Sequence, residues 1–351
     1  MKIALIHHQY AKKGGMESYL VDLVHGFAES GDQVDLITSK VDPETPGLEH
    51  CVLYKNDVSL IPKPFRMYFF SRWLGDFTIN RGYDLSLSVS RTSAQDIVVC
   101  GGTHRGFLRA MQIRPGLRDR LEIKLERQAY ESSNRIMAHS RLMKNEIVEL
   151  YGIDPSKIFV LYPPLDYLRF AIPHPEKRAE NRARYGIHPD KTTLLFPSTG
   201  HERKGLDMLL KAFALLPETE FGLLIAGAPP RGKENRDNIR YLGFVGDMEK
   251  LYSAVDFTIL PSYYEPFGLV VVESVQCGTP AIISNIFGAS EILSDQECLI
   301  IPTLTPDGIA ETIRRAVGHP FDIQPGFAER HQLTREEHIH LIKEQIPPRR
   351  S

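Results

Sequence analysis

Hydrophobic positions along this chain fall into short apolar runs separated by stretches of 3.6-residue period. The first run covers residues 2–7. Over 16–29 the residues Tyr19, Leu20, Leu23, Val24 and Phe27 share one helical face, which Gly31 closes. A second apolar run follows at 33–38. Strand, helix and strand in this order argue for a parallel sheet. The same pattern predicts strands at 85–89, 96–100, 135–138 and 158–161, with helices at 64–80, 117–132 and 140–151. Tyr162, Pro163 and Pro164 then break it, and the irregular stretch to Phe170 reads as a linker. Beyond lies a charged helix over 176–185. Strands at 193–197, 221–226, 239–242, 257–260, 281–284 and 298–301 alternate with further helices. Residues 326–345 are polar and helical. No internal repeat stands out.

A chain of 351 residues exceeds the usual size of one core, so two α/β domains are expected. The 42 basic and 44 acidic residues leave a net charge of −2, which implies no bulk attraction to nucleic acid. Cys51, Cys100, Cys277 and Cys298 are widely spaced and form no metal-ligand pattern; free thiols in a reducing cytoplasm are the expectation. The first apolar run is too short for a signal peptide, and no stretch reaches the length of a membrane span. The expected protein is soluble or bound to a membrane surface.

Chemistry concentrates after the run 257–260. Pro261 and Ser262 end that strand, and Glu265, Pro266, Phe267 and Gly268 lead into an apolar helix carrying Glu273. Gly278 and Pro280 stop the helix. Free N–H groups at a helix start form a seat for a diphosphate. Glu265, just before the seat, can accept hydrogen bonds from sugar hydroxyls, and Glu273 can take two ribose hydroxyls. Two solvated glutamates on a surface helix are the plain alternative. Arg203 and Lys204 lie just before another helix, where cations oppose the helix dipole unless an anion binds there. An arginine grips two phosphate oxygens and a lysine adds a point charge. Gly14 and Gly15 occupy the first strand-to-helix loop. Glycine there permits positive φ and close backbone approach to a ligand.

At these residues the chain resembles the retaining glycosyltransferases of family 4, whose two signature glutamates, eight residues apart, match Glu265 and Glu273. The resemblance covers nearly the whole chain and is nearest to the lipopolysaccharide-core sugar transferases. It implies a GT-B fold of two Rossmann-like domains with parallel sheets facing across a central cleft. The expected division is an acceptor-binding domain at 1–165, a nucleotide-sugar-binding domain at 169–325, and a terminal segment at 326–351 that can return to the first domain. By the same resemblance Arg203 and Lys204 form the phosphate site, and Gly14 and Gly15 lie beside the diphosphate and the acceptor. His104 lies near the donor sugar, and Gly243, Phe244 and Val245 meet the nucleobase. Phe244 could equally pack in the core. Phe267, Gly268 and Leu269 supply backbone contacts. His139 and Ser140 end another strand and face the cleft by the same topology.

The implied activity is transfer of a hexose, with retention, from a nucleotide-diphosphate sugar to a hydroxyl of a glycan or lipid-linked acceptor in cell-envelope synthesis. No cofactor and no metal is expected, because the cationic pair meets the diphosphate charge and no paired aspartates stand ready for a metal. A nucleotide-sugar epimerase on the same fold and a sugar-nucleotide-binding scaffold are the rivals. The first would need acid/base groups at the sugar C2, and none can be pointed to. The second would be favoured if Glu265 or Lys204 were absent. Residues 104–127 interleave seven basic residues with apolar ones, and 64–73 add a basic-aromatic patch. Either can lie on an anionic membrane at the cytoplasmic face, or simply pack as amphipathic helices. The sequence does not speak to oligomeric state.

Overall fold

The computed structural model describes residues 1–11, 14–79, 81–229 and 236–346. Lys12 and Lys13 of the first loop, Asn80 at the end of the helix predicted over 64–80, and residues 347–351 of the terminal segment lie outside the described residues. The chain forms two compact units. One joins Met1–Pro164 to Gln332–Ser351, and the other is Leu165–His331.

The first unit is built on a seven-stranded sheet. Its spatial order is Val52–Lys55, Gln33–Thr38, Lys2–Ile6, Leu85–Ser88, Ile97–Cys100, Arg135–Ala138, Ile158–Val160, and every pairing is parallel. Helices cover both faces. Ile3 and Leu5 pack with Leu20, Leu23 and Phe27 of the helix Gly15–Glu29. Ala4 and Ile6 point the other way, toward Phe70 and Leu74 of the helix Arg66–Thr78. Burial on both faces is why these strands read as continuous apolar runs. Each such buried side chain contributes about 1.5–3 kcal/mol relative to exposure. The chain leaves Lys2–Ile6 toward one side of the sheet and returns on the other at Leu85–Ser88, so a topological switch point lies between these two strands.

The polar terminal segment docks on this unit. Thr334 caps the helix Arg335–Glu344, its hydroxyl accepting from the Glu337 N–H at 3.2 Å. Gly26 lets that helix approach: a Cβ there would fall 2.6 Å from Ile339. Arg335 pairs with Glu29 at 3.0 Å, Lys343 with Asp32 at 2.6 Å, and His338 meets the Tyr19 hydroxyl at 2.8 Å. Among the described residues of the segment, Ile339 and Ile342 are the buried apolar ones that join the core around Ile3 and Leu5. Its earlier part, the short helix Phe327–Arg330, belongs instead to the other unit.

The second unit holds a six-stranded sheet in the order Ile239–Gly243, Phe221–Gly227, Thr192–Ser198, Phe257–Leu260, Ala281–Ser284, Cys298–Ile301, again all parallel. Its switch point lies between Thr192–Ser198 and Phe257–Leu260.

The structure refines the pattern at three places. The edge strand Val52–Lys55 escaped the pattern because Val52 and Leu53 are exposed. Pro64 sits in a 3-10 turn, Lys63–Phe65, ahead of the helix proper. The helix expected over 117–132 is found at Leu117–Ser132, and a further helix, His104–Ala110, precedes it across a turn with Gln112 at φ 54°. Among the described residues no helix is long and apolar enough to cross a membrane.

Candidate active site

Two loops leave the carboxyl ends of the switch-point strands in the Leu165–His331 unit. One follows Thr192–Ser198 and carries Arg203 and Lys204. The other follows Phe257–Leu260 and carries Glu265. Gly205, at φ +80°, brings them together, since a Cβ there would fall 2.1 Å from the Pro261 carbonyl. The Tyr263 N–H then donates to the Arg203 carbonyl at 2.9 Å. Arg203 Nη1 donates to Glu265 Oε2 at 3.0 Å and also to the Tyr264 carbonyl.

Lys204 is buried and donates through Nζ to the Pro197 carbonyl at 3.1 Å. An ammonium has three donors, and among the described residues this is its one hydrogen bond. Desolvation holds its pKa below the ordinary lysine value; the Glu265 carboxylate opposes that shift and Arg203 adds to it. A buried cation answered by so little favours an arriving anion.

Glu265 is also buried. Its carbonyl accepts from the Gly288 N–H at 3.1 Å, and it bridges to Phe287. Gly268, at φ +98°, caps the helix Leu269–Gln276, and a Cβ there would meet the Phe287 ring at 2.0 Å. Phe267 turns its ring into the core while its carbonyl accepts from the Ala289 N–H at 2.8 Å. Leu269 is half-buried at the helix start. Glu273 lies in the second turn of that helix, and the Tyr252 hydroxyl donates to its Oε2 at 2.9 Å. Gly243, at φ +67°, ends its strand and leads into Phe244, whose ring is 84% exposed, and half-buried Val245. Core packing of Phe244 is thereby overturned.

The first unit gathers fewer of the expected residues. His104 heads its helix with Nε2 at 2.9 Å from Asp119 Oδ1, and its backbone N–H donates to Glu126 at 2.9 Å. The Gly116 N–H and then His104 hold the Asp119 carboxyl below its usual range. Gly14 and Gly15 are exposed at the start of Gly15–Glu29. Gly14 is extended at φ −160° and neither residue has positive φ, so that reason for glycine falls away and only close approach remains. Ser140 is fully buried, and its hydroxyl caps Arg141–Tyr151 by accepting from the Met143 N–H at 3.1 Å. His139 packs edge-on against Tyr19, and burial pushes it down to about 3.

A pocket of about 320 Å³ opens at this unit's switch point and holds residues that sequence patterning passed over, among them His7, His8, Ser90 and Arg91. The available signal was topological: each directly follows a strand whose carboxyl end faces the crevice.

Two family models match the chain. Glycosyl transferases group 1 matches residues 177–334, and Glycosyltransferase Family 4 matches residues 13–168. A Burkholderia thailandensis protein described as a probable transglycosylase is 37% identical over 334 residues, spanning 94% of this chain and 91% of that one. Among solved structures, WaaG, a glycosyltransferase involved in lipopolysaccharide biosynthesis, aligns with a TM-score of 0.80 at 20% identity, covering 98% of this chain and 95% of its own. HepE of Anabaena, solved in complex with UDP-glucose, gives a TM-score of 0.74 at 16% identity, covering 98% of both chains. The structural likenesses establish the α/β GT-B fold, with its two Rossmann-like domains of parallel sheet. The two family models, together with the relative matched over 94% of the chain, show that the chain belongs to glycosyltransferase family 4.

Proposed function

We propose that the Leu165–His331 unit binds a nucleotide-diphosphate sugar, and that the enzyme moves its hexose to a hydroxyl of a glycan or lipid-linked acceptor held by the other unit. The observation that carries this reading is the buried Lys204 ammonium beside the Arg203–Glu265 pair. A diphosphate supplies the negative charge that this site lacks, and the same cations stabilise it as it departs. Glu265 hydrogen-bonds donor-sugar hydroxyls. Glu273, fixed by Tyr252, takes the ribose. Phe267, Gly268 and Leu269 offer backbone contacts, while Gly243, Phe244 and Val245 border the base. His104, Gly14 and Gly15 serve the acceptor side. The UDP-glucose complex of HepE supports the donor class, and the role of WaaG supports cell-envelope or lipopolysaccharide synthesis.

In the transfer, the bond from the anomeric carbon to the phosphate oxygen breaks. The acceptor oxygen bonds the same face, and its proton passes to the departing phosphate. The configuration is kept, which anomeric couplings in the product's NMR spectrum would test. Incubation with a panel of nucleotide-sugars tests the class: a transferase releases free nucleotide, an epimerase returns a nucleotide-sugar of altered configuration, and a scaffold leaves the donor unchanged. No metal or other cofactor is needed if the two cations meet the diphosphate charge. Activity should then survive EDTA, and a strict requirement for added magnesium or manganese would overturn this part.

The enzyme is proposed to work in the cytoplasm, reversibly bound to the inner face of an anionic membrane. Leu60, Phe65, Tyr68 and Phe69 are exposed beside Lys63 and Arg72, and Ile113 and Leu117 are exposed beside Arg114 and Arg118. The face is narrower than the 104–127 pattern implied. Arg105 is bound to the Leu150 carbonyl, Arg109 to Glu149, and Arg127 to the Tyr151 carbonyl. Each basic residue near the surface contributes about 1 kcal/mol, less as salt rises. Flotation should recover the protein with anionic vesicles at low salt and not with neutral ones. Equal recovery with both would sink the idea.

A further inference from the structure

Ser90 Oγ is the hub of the switch-point pocket in the first unit. The His8 backbone N–H donates to it at 3.0 Å, and it lies 2.7 Å from His7 Nδ1 and 3.1 Å from His8 Nδ1. A hydroxyl has one hydrogen and two lone pairs. The His8 N–H fills one lone pair. The arrangement that satisfies the hydroxyl in full has one imidazole accept its hydrogen and the other donate to the second lone pair; the Val89 backbone, which also bonds the His7 ring, favours His7 as the donor. Their Nε2 atoms are therefore opposite in kind, one an acceptor and one a donor. His7 Nε2 is buried with no hydrogen-bond partner among the described residues. A buried polar atom left unmatched is unfavourable and is normally met by a ligand or a water.

Both rings are neutral at physiological pH. Burial, with His8 adding, pushes His7 down to about 3, and desolvation of its inner edge lowers the otherwise exposed His8 as well. Among the described residues, the cation that lines the pocket is already engaged: Arg91 pairs with Glu122 at 3.1 Å and Glu126 at 3.0 Å. Glu17 also lines the pocket and, among the described residues, has no ion-pair partner. A phosphate entering here would meet carboxylates and neutral imidazoles. A neutral ring would meet one donor and one acceptor, which suits two neighbouring hydroxyls. The volume of about 320 Å³ lies at the small end for ligand pockets, about 300–1,000 Å³.

We propose that this pocket, through the His7–Ser90–His8 relay, binds an uncharged, hydroxyl-bearing ring of the acceptor in preference to a phosphorylated one. The inference rests on reading the first unit as the acceptor side. It assigns Ser90 a positioning role and His7 direct contact with a ring hydroxyl.

The test is ligand-observed NMR on the full chain. Methyl glycosides of glucose, galactose and mannose, and myo-inositol, are each compared with a monophosphate of the same ring; UDP is titrated in parallel to report on the other unit. At least one neutral ring should bind, and at least tenfold more tightly than its phosphate. Ser90→Ala and His7→Phe should each weaken it tenfold or more, with UDP affinity held within twofold. Glu265→Gln should leave the neutral ring within twofold, which separates this pocket from the donor-sugar position. Melting curves check folding, and either unit-1 variant that folds suffices. Tighter binding of the phosphates overturns the proposal. So does a signal that survives both unit-1 variants, or no binding of any neutral ring. Failure of UDP to bind the unaltered protein would instead strike the donor reading, with the sugar titrations still deciding the pocket.

Discussion

The two sheets carry opposite chemistry at the same topological position. At the switch point of the Leu165–His331 unit, Arg203 and Lys204 meet Glu265, and Lys204 keeps a buried charge with little to answer it. At the switch point of the first unit, Arg91 is locked by two glutamates, and the other ionisable groups among the described lining residues include the His7 and His8 imidazoles and the Glu17 carboxylate. Desolvation acts on both places. In one it lowers a lysine that an arriving anion would restore; in the other it lowers His7 to about 3 and keeps it neutral. A shared backbone plan thus places the two crevices, while the residues after each strand set the charge that each presents.

Acid should break this comparison most severely. His7, His139 and His338 of the first unit are each pushed down to about 3 by burial, below an unfolded value of 6.5. Such groups add stability in full above pH 6.5 and lose it as pH falls toward 3, by up to about 1.4 kcal/mol per pH unit for each. In the other unit burial lowers His331 in the same direction. Hydrogen exchange on the intact chain between pH 7 and 4 should therefore show first-unit amides losing protection first. Simultaneous loss in both units would contradict this asymmetry.

Removing one cation from each unit should separate activity from stability. Lys204→Met should cut turnover about a hundredfold, the usual loss for a charge-stabilising donor. Its melting temperature should not fall, because a depressed lysine pKa means that the ammonium costs stability below that pKa. Arg91→Met should instead lower stability by about 1–3 kcal/mol. It leaves Glu126 buried, but Arg91 is itself partly exposed and screened. Full activity in the Lys204 variant would refute the phosphate site.

Glycine substitutions sharpen the contrast. Gly268→Ala meets both positive φ and the Phe287 ring, so a cost of about 1–3 kcal/mol is expected by calorimetry. Gly14→Ala is extended, exposed and opposed only by the flexible Glu17 end, so its melting point should barely move.

The smallest effect divides the two glutamates. Glu273→Gln should weaken free nucleoside diphosphate about tenfold, in line with loss of a charged hydrogen bond. Glu265→Gln should leave that affinity nearly intact and impair transfer. Equal losses in calorimetric titrations would remove the proposed split.

Much of the architecture was readable from pattern. Strands buried on both faces leave continuous apolar runs, and the helix Gly15–Glu29 leaves a clear 3.6-residue stripe. Val52–Lys55 was not readable, because an edge strand with exposed Val52 and Leu53 has no distinctive alternation. The polar terminal helix was hard to place because two isoleucines and several ion pairs hold it, and such pairs leave no periodic trace. Of the candidate site, Glu265, Glu273, Arg203 and Lys204 were legible as local motifs. The capping role of Ser140 was not legible, because a buried helix cap and a ligand-binding serine look alike in sequence.

By itself, then, the sequence determined the elements, the two-domain α/β class, and the glutamates and cations flanking particular strands. These follow from interactions between near neighbours, whose spacing is written along the chain. Tertiary structure alone decided the strand orders and hence both switch points. It also joined Arg203 to Glu265 across 62 positions, His7 to Ser90 across 83, and Tyr19 to His338 across 319. Such pairings depend on which strands become neighbours in a sheet. No local periodicity encodes that choice, because the same apolar run can pair on either side.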